Sequence, residues 1–413
     1  MSTEPTTGTT RGATGAISSG RVYYGWIIVA ASFLIIVITF GSAFSFGVFL
    51  TPFRDSFGWT SGATSGVYSL CLFLYTGLAP LSGWSVDQHG PRIISVLGGV
   101  LLVAGLLLTS QITALWQLYV TYGLIGMGMS TAYAPLMTTV SRWFPRRRGM
   151  AVGIISSGMG TGPLLVAPLA SYLISAHGWR TTYLVLGSAA GLIVLAALLL
   201  KRNPPPETIP APVNGQMPAD SIDLSLRQAL RTRAFYLLAG TFFLVGVGLQ
   251  VIVTHVVAYS QGHGMAPVLA AGVLSTITGV SIVGRIITGL ASDRIGHQKT
   301  MAFCLLVEGL SILWLLGATS PWGLFGAAAI LGFGYGGHAT QFPALTGEML
   351  GLKHMGAILG AAVLLWGIGG AIGSFMGGYI VDLTGSYTSA FLLGTVTFVL
   401  AAGTSLFLKG PSR

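Results

Sequence analysis

The sequence predicts an all-α membrane protein of twelve transmembrane helices arranged as two six-helix bundles. Three observations predict it. In a chain of 413 residues, 53% are hydrophobic and only 7% charged, with 60 glycines and a mean hydropathy of +0.78, which no soluble domain of that size shows. Apolar runs long enough to cross a bilayer, about 20 helical residues, recur between short polar breaks. A set of residues also returns after a fixed offset, so the chain reads as two related halves.

The runs fall at 22–51, 61–86, 92–110, 114–141, 149–175, 179–201, 234–260, 266–291, 299–318, 322–347, 354–381 and 387–408. Continuous apolar stretches of this length must be helical, because a membrane barrel would show shorter, alternating segments. The expected organisation is a disordered tail at 1–21, a first bundle at 22–201, a linker at 202–233, a second bundle at 234–408 and a tail at 409–413. Residues 1–21 are rich in Ser, Thr and Gly without an apolar core, unlike a cleavable signal peptide. The linker opens RNPPPETIPAPVNGQMPADSIDLS, a Pro-rich and polar stretch that favours extended backbone. Cys71 and Cys304 both lie inside apolar runs and read as packing residues, not as a disulfide framework.

The repeat is clearest where GWSVDQHGPR (83–92) is set beside GLASDRIGHQ (289–298). Gly83, Asp87 and Gly90 return as Gly289, Asp293 and Gly296, each 206 residues later. The same offset carries Gly126 and Gly128 onto Gly332 and Gly334, and an offset of 207 carries AHG (176–178) onto LTG (383–385).

Of the 20 basic residues, only Arg54 and Arg180 fall in or beside one set of loops and only Arg285 falls deep inside an apolar run, away from its ends. The other seventeen lie on the side that holds both termini, so both termini are expected to be cytoplasmic, with the protein in the plasma or inner membrane. Topology and anionic headgroups thus account for the net charge of +10 without nucleic acid. Nor does the chain carry a GK[ST] phosphate loop, a CxxC pair or HExxH. The stretches Gly158-x-Gly160-x-Gly162 and Gly332-x-Gly334-x-Gly336 lack the strand and turn of a dinucleotide site. An enzyme, a cofactor and a metal centre are therefore not expected.

Arg285, in GVSIVGRIITGLASDRIG, is the most informative residue. A guanidinium within a membrane helix costs roughly 2.5–3.5 kcal/mol on insertion scales, and such a charge usually faces a cavity or a partner. No acid precedes it in its segment, and it lies eight residues, about 12 Å, inside Asp293. A planar guanidinium matches one carboxylate with two parallel donors.

At the paired Gly/Asp/Gly loops the chain resembles the major facilitator superfamily, whose hallmark between helices two and three is a Gly, an Asp three to four residues on, then Gly and basic residues. A narrower resemblance is to the monocarboxylate transporter family and its bacterial relatives, which include oxalate and formate exchangers. It rests on RVYYGWIIV opening helix one, on RWFPRRRGMAVGIISSGMGTG from Arg142 to Gly162, and on the helix-eight Arg285. The resemblance implies a carrier with a central site between the two bundles, exposed to each side in turn. It also implies a gate on the cytoplasmic side, built from Asp87 with Arg142 and from Asp293 with Arg294 and Glu348.

The animal members of that family are expected to have a lysine in helix one and an aspartate one turn before the arginine. This chain has apolar GSAFSFGVFL (Gly41 to Leu50) and Ser281 instead, so the proton relay does not carry over. The expected partners are a small monocarboxylate, protons and the lipid bilayer, with the protein working as a monomer. Arg285, Tyr119, Tyr335, His255 and Phe342 are the candidate substrate contacts, with Tyr133 and Phe44 as weaker additions to the apolar wall. His255 and His338 are the candidate proton groups because an ordinary imidazole titrates near neutrality. Glu308 ranks below them, since helix nine is expected to support the bundle from outside. Two alternatives stay open: an exchanger of organic anions, and a non-transporting membrane sensor.

Overall fold

The computed structural model describes residues 23–204, 223–318 and 320–408. The tails at 1–21 and 409–413 and most of the linker lie outside the described residues. Every regular element among the described residues is helical. The first half contains α1 (Tyr24–Phe44), α2 (Phe46–Phe57), α3 (Ser61–Gly77), α4 (Ala79–His89), α5 (Pro91–Thr109), α6 (Leu115–Ser130), α7 (Tyr133–Trp143) and α8 (Arg148–Leu198). The second contains a short α9 (Leu226–Ala229), then α10 (Arg233–Gly262), α11 (Pro267–Ile295), α12 (His297–Gly317), α13 (Pro321–Met349), α14 (Met355–Thr384) and α15 (Tyr387–Ser405).

Twelve crossings result, but not one per helix. The first, second and fourth are broken into α1–α2, α3–α4 and α6–α7, the middle one bending by 42°. In the other direction, α8 runs through the fifth and sixth crossings and turns back at Gly178, whose φ of 80° and ψ of 163° no helix contains. Glycine meets that requirement because it has no Cβ to clash at positive φ. The crossings with the weakest apolar signal are α6–α7 and α13. All eleven residues of α7 are buried, as is most of α13. Their Gly, Thr, His and Gln residues face protein, so they need not be apolar.

The repeat is structural as well as sequential. Gly90 and Gly296 adopt the same backbone, with φ of 83° and 96° and ψ of 167° and 141°. Trp116 and Trp322, also 206 apart, start α6 and α13 with 66% and 84% exposure, as an interfacial aromatic belt requires.

One face of the bundle gathers Tyr24, whose hydroxyl donates to the Leu199 carbonyl, and Trp143, whose indole N–H donates to the Lys201 carbonyl. It also holds Arg202 against the Asp87 and Gln88 carbonyls. The opposite face gathers Trp179 bonded to Ser56, and Arg180 bonded to the Ser110 and Ile112 carbonyls. The first of these carries most of the basic side chains among the described residues and is called the basic face below. The linker is not extended to its end: Ser225 caps α9, and Leu224 N–H donates to the Leu350 carbonyl. Asp223 accepts from Leu352 and Lys353, which pins this segment to the α13–α14 turn.

In the first half α8 packs on α1 and α5, and α6 packs on α3 and α5; in the second, α13 packs on α11 and α12, and α10 on α14 and α15. The halves meet mainly through two helix pairs, α4 with α14 and α8 with α11. Both pairs are zipped by glycines. A Cβ on Gly83 would overlap the Gly356 carbonyl, and one on Gly149 or on Gly289 would come within 2.5 Å of the other residue's carbonyl oxygen. Such contacts let the helix backbones touch.

Candidate functional site: a buried arginine between two bundles

Arg285 is 1% exposed and lies on α11 where that helix crosses α8, since a Cβ on Gly153 would come within 2.5 Å of the Arg285 carbonyl oxygen. It sits ten residues, about 15 Å, from the basic-face end of α11 and eighteen, about 27 Å, from the other end. Its guanidinium stacks over Tyr335 with its carbon 5.1 Å from the ring centroid, and Nη1 approaches the Met159 sulfur at 3.9 Å. Tyr75 from α3 and Tyr133 from α7 complete the shell within electrostatic reach of the charge, at 4% and 7% exposure. Arg285 Nε has no hydrogen-bond partner. Among the described residues the two ion pairs are Asp87 with Arg142 and Glu308 with His338, and neither includes Arg285.

Both bundles therefore contribute to this shell. Tyr75, Tyr133 and Met159 come from the first half, and Arg285 and Tyr335 from the second. Beside it, Phe40 bridges Tyr75 and Phe44 by edge-to-face ring contacts. Phe44 in turn lines a cleft of about 340 Å³ at the α1–α2 break with Phe46, Gly47, Leu50, Tyr68 and Ser69.

Several of the residues expected at the site lie elsewhere. His255 is only seven residues, about 10 Å, from the opposite-face end of α10, whereas Arg285 lies eighteen residues, about 27 Å, from the same-face end of α11. It packs between α10 and α14, bonded at 3.2 Å to the Ser374 carbonyl and facing Tyr387. Tyr119 is shallower still, four residues inside α6, and its hydroxyl donates to the Ala63 carbonyl within the first bundle. Phe342 is 2% exposed and lies on Phe242 with ring centroids 3.5 Å apart, inside the second bundle's core. Tyr75 and Met159 were missed, although Tyr75 stands twelve residues before Asp87 as Ser281 stands before Asp293. That register already placed it near the level of Arg285.

His338, by contrast, is near. Its ring centroid is 5.7 Å from that of Tyr335, and its Nδ1 is 2.6 Å from Glu308 Oε1. The helix that carries Glu308, α12, does lie on the outside of its bundle against α13 and α15, but Glu308 turns inward and is fully buried, at 0% exposure. A Cβ on Gly334 would come within 2.6 Å of Glu308 Cγ, so this glycine makes room for the acid.

On the basic face the two repeat aspartates cross over. Asp87 accepts from Gly356 and Ala357 N–H in the first turn of α14, at 3.2 and 2.9 Å. Asp293 accepts from Gly149 and Met150 N–H in the first turn of α8, at 2.7 and 2.9 Å. Each half thus caps the other half's helix, where a carboxylate meets unpaired amides and the positive end of the dipole. Arg142 pairs with Asp87 at 2.6 Å and also donates to the Leu352 and Lys353 carbonyls across the interface.

The second capping site is not a copy. Arg294 is exposed and forms no ion pair among the described residues, so the expected Asp293–Arg294–Glu348 set is not assembled. The cation here is Arg148, which donates to the Ala344 carbonyl at 3.1 Å and lies within electrostatic reach of Glu348 and Asp293. Nor do any three His, Cys, Asp or Glu among the described residues converge as a metal site would need.

A two-bundle helical membrane protein with a buried, unpaired cation at the bundle interface has the architecture of a secondary carrier. The family comparison gives the same class, since the model of the Major Facilitator Superfamily matches residues 32–296 and 279–413. The chain belongs to the Major Facilitator Superfamily and is a multi-pass membrane transporter, not an enzyme. It is 30% identical over 403 residues to monocarboxylate transporter 12-B of Danio rerio, covering 90% of this chain and 84% of that protein. It is 28% identical to the oxalate:formate antiporter of Oxalobacter formigenes, covering 93% of each. The fold resembles the crystal structure of the transporter FucP in its outward conformation, with a TM-score of 0.76, 16% identity, and coverage of 94% of this chain and 100% of that one.

Proposed function

We propose that the protein carries small monocarboxylates of the lactate or pyruvate type across the membrane in symport with H⁺, by alternating access. The observation that carries this reading is Arg285: buried, at the bundle interface, without an acidic partner and ringed by three tyrosines. Its guanidinium binds the carboxylate as a fork, and tyrosine hydroxyls and rings hold the remainder of a short acid. One cation suits one carboxylate. A dicarboxylate would favour a second, and α14 has no Lys, Arg or His between Met355 and Thr384.

The basic face is the cytoplasmic one in this reading, by the excess of Lys and Arg there. The crossed Asp87 and Asp293 caps hold that face closed, and their release would let the bundles rock about the Arg285 layer. Importing an anion against an inside-negative potential costs about 2.3 kcal/mol per 100 mV, and one proton moving with it cancels the charge.

A second reading is exchange of organic anions, favoured by the likeness to the oxalate:formate antiporter across 93% of both chains. Proteoliposomes supplied with radiolabelled C2 to C5 monocarboxylates and with oxalate test both. Symport gives net uptake of a monocarboxylate driven by a pH gradient and abolished by a proton ionophore. Exchange gives uptake only against a preloaded anion, ionophore or not. In Arg285→Lys the fork is lost, and uptake should fall by about tenfold or more; near-normal uptake in that variant would sink the assignment of Arg285.

A further inference from the structure

We infer that the proton accompanying the anion binds the buried Glu308–His338 pair, which reaches Arg285 through the ring of Tyr335. This rests on the symport reading above and supplies the group which that reading leaves unassigned. Of the acids among the described residues, Glu308 is the one fully buried away from both membrane faces; Asp87, also buried, is engaged at the basic face by Arg142 and two amides. Glu308 Oε1 holds His338 Nδ1 at 2.6 Å, while Oε2 has no hydrogen-bond partner. A buried pair with one unsatisfied carboxylate oxygen keeps a place for a proton.

The path to the anion is short and continuous. The Arg285 guanidinium carbon lies 5.1 Å from the Tyr335 centroid, and the Tyr335 ring lies 5.7 Å from that of His338. A Cβ on Gly336 would come within 2.9 Å of the Arg285 backbone nitrogen, so α13 and α11 touch where this path runs. The groups next to the pair are Cys304 from α12, within electrostatic reach of Glu308, and Tyr335 and Phe342 from α13, while Thr288 and the Arg285 backbone of α11 lie against Gly337 and Gly336, the two residues just before His338. From α15, Thr395, Phe398 and Val399 pack at Gly309, one residue from Glu308. Arg285 is the one fixed charge among them.

Charge balance then explains coupling. In the empty carrier the Arg285 cation is offset by the Glu308 carboxylate with His338 neutral, so the membrane interior carries no net charge. When a carboxylate anion binds Arg285, that offset is taken over, and Glu308 and His338 together hold one added proton. The loaded carrier is again neutral. Either form alone can cross between the two states, whereas an anion without its proton, or a proton without its anion, leaves a charge buried in low dielectric. No bond beyond O–H or N–H is made, and the proton leaves with the anion. The added proton belongs to the pair and not to one residue.

The test uses the full-length protein in proteoliposomes with radiolabelled lactate and the variant Glu308→Gln, which mimics the protonated acid. The neutral side chain lets the loaded form cross but strands Arg285 uncompensated in the empty form. Lactate counterflow should persist, while accumulation driven by a pH gradient falls by about tenfold or more, one protonation unit. pH-driven accumulation equal to wild type would overturn the assignment while leaving symport standing. No pH-driven uptake of lactate by wild-type protein would remove the symport reading and this inference with it. Should Glu308→Gln fail to fold, infrared difference spectra of the wild type decide the matter: lactate should raise a buried protonated-carboxyl or imidazolium signal that His338→Gln alters. A spectrum unchanged by lactate overturns the inference.

Discussion

Arg142 and Glu348 occupy equivalent positions in the two halves, 206 residues apart, yet carry opposite charges. The two interbundle locks are therefore unequal. Asp87 holds a buried ion pair as well as the α14 cap, whereas Asp293 holds the α8 cap without an ion pair. Asp87→Asn strands the Arg142 guanidinium, a loss of about 3–5 kcal/mol for a buried pair broken on one side. Asp293→Asn weakens charged hydrogen bonds to two amides, about 1.5–3 kcal/mol. Thermal unfolding of purified protein should show the larger drop for Asp87→Asn; equal drops would mean that Arg142 adds nothing to the lock.

The glycine zippers give a second handle on the same closure. Gly289→Val would place a branched side chain against the Gly149 carbonyl, which already lies within 2.5 Å of a bare Cβ. The α8–α11 pair cannot tighten around it, and overpacking of this kind typically costs about 1–3 kcal/mol. Spin labels at Gln88 and Lys353, both exposed on the basic face and in different halves, should report a longer separation in Gly289→Val. Gly191→Val, where a Cβ meets nothing, should leave that separation unchanged.

The two-bundle architecture was legible because Gly90 and Gly296 repeat not only in letters but in a backbone only glycine readily adopts. Arg285 was legible because a lone charge in an apolar run has few reasons to be there. What could not be read was rotation. Helices apolar on nearly every side, such as α10 and α14, give no periodic stripe to say which face turns inward. His255 was expected at the site for its titratable ring and Tyr119 for the helix it lies on, and their local hydrogen bonds to the Ser374 and Ala63 carbonyls set them apart from it. Glu308 was discounted for the same reason in reverse, since the notch at Gly334 that admits it is a contact between helices. The crossing of Asp87 and Asp293 to the opposite half was equally invisible, because spacing within one chain does not say which helix end a carboxylate meets.

His255→Gln separates these two kinds of expectation. With its ring bonded to the Ser374 carbonyl and packed at Gly377, His255 is a packing residue of α10 and α14. The variant should lose about 1 kcal/mol of stability from one hydrogen bond and keep the wild-type KM and pH profile for lactate uptake. A shifted pH profile would return His255 to the proton path.

The three tyrosines around Arg285 are not equivalent, and the difference can be measured. The Tyr133 hydroxyl already donates to the Ala339 carbonyl at 3.4 Å across the bundle interface. The hydroxyls of Tyr75 and Tyr335 make no hydrogen bond to protein among the described residues, which leaves them available to a bound carboxylate. A hydrogen bond to a charged group is worth about 1.5–3 kcal/mol, so Tyr75→Phe or Tyr335→Phe should raise the KM for lactate by about tenfold or more. Tyr133→Phe should move it by much less. Tyr335→Leu removes the ring as well, and with it a cation–π contact of about 0.5–2 kcal/mol. Its uptake should therefore fall below that of Tyr335→Phe, and identical kinetics in the two would show that the ring over Arg285 serves only to fill space.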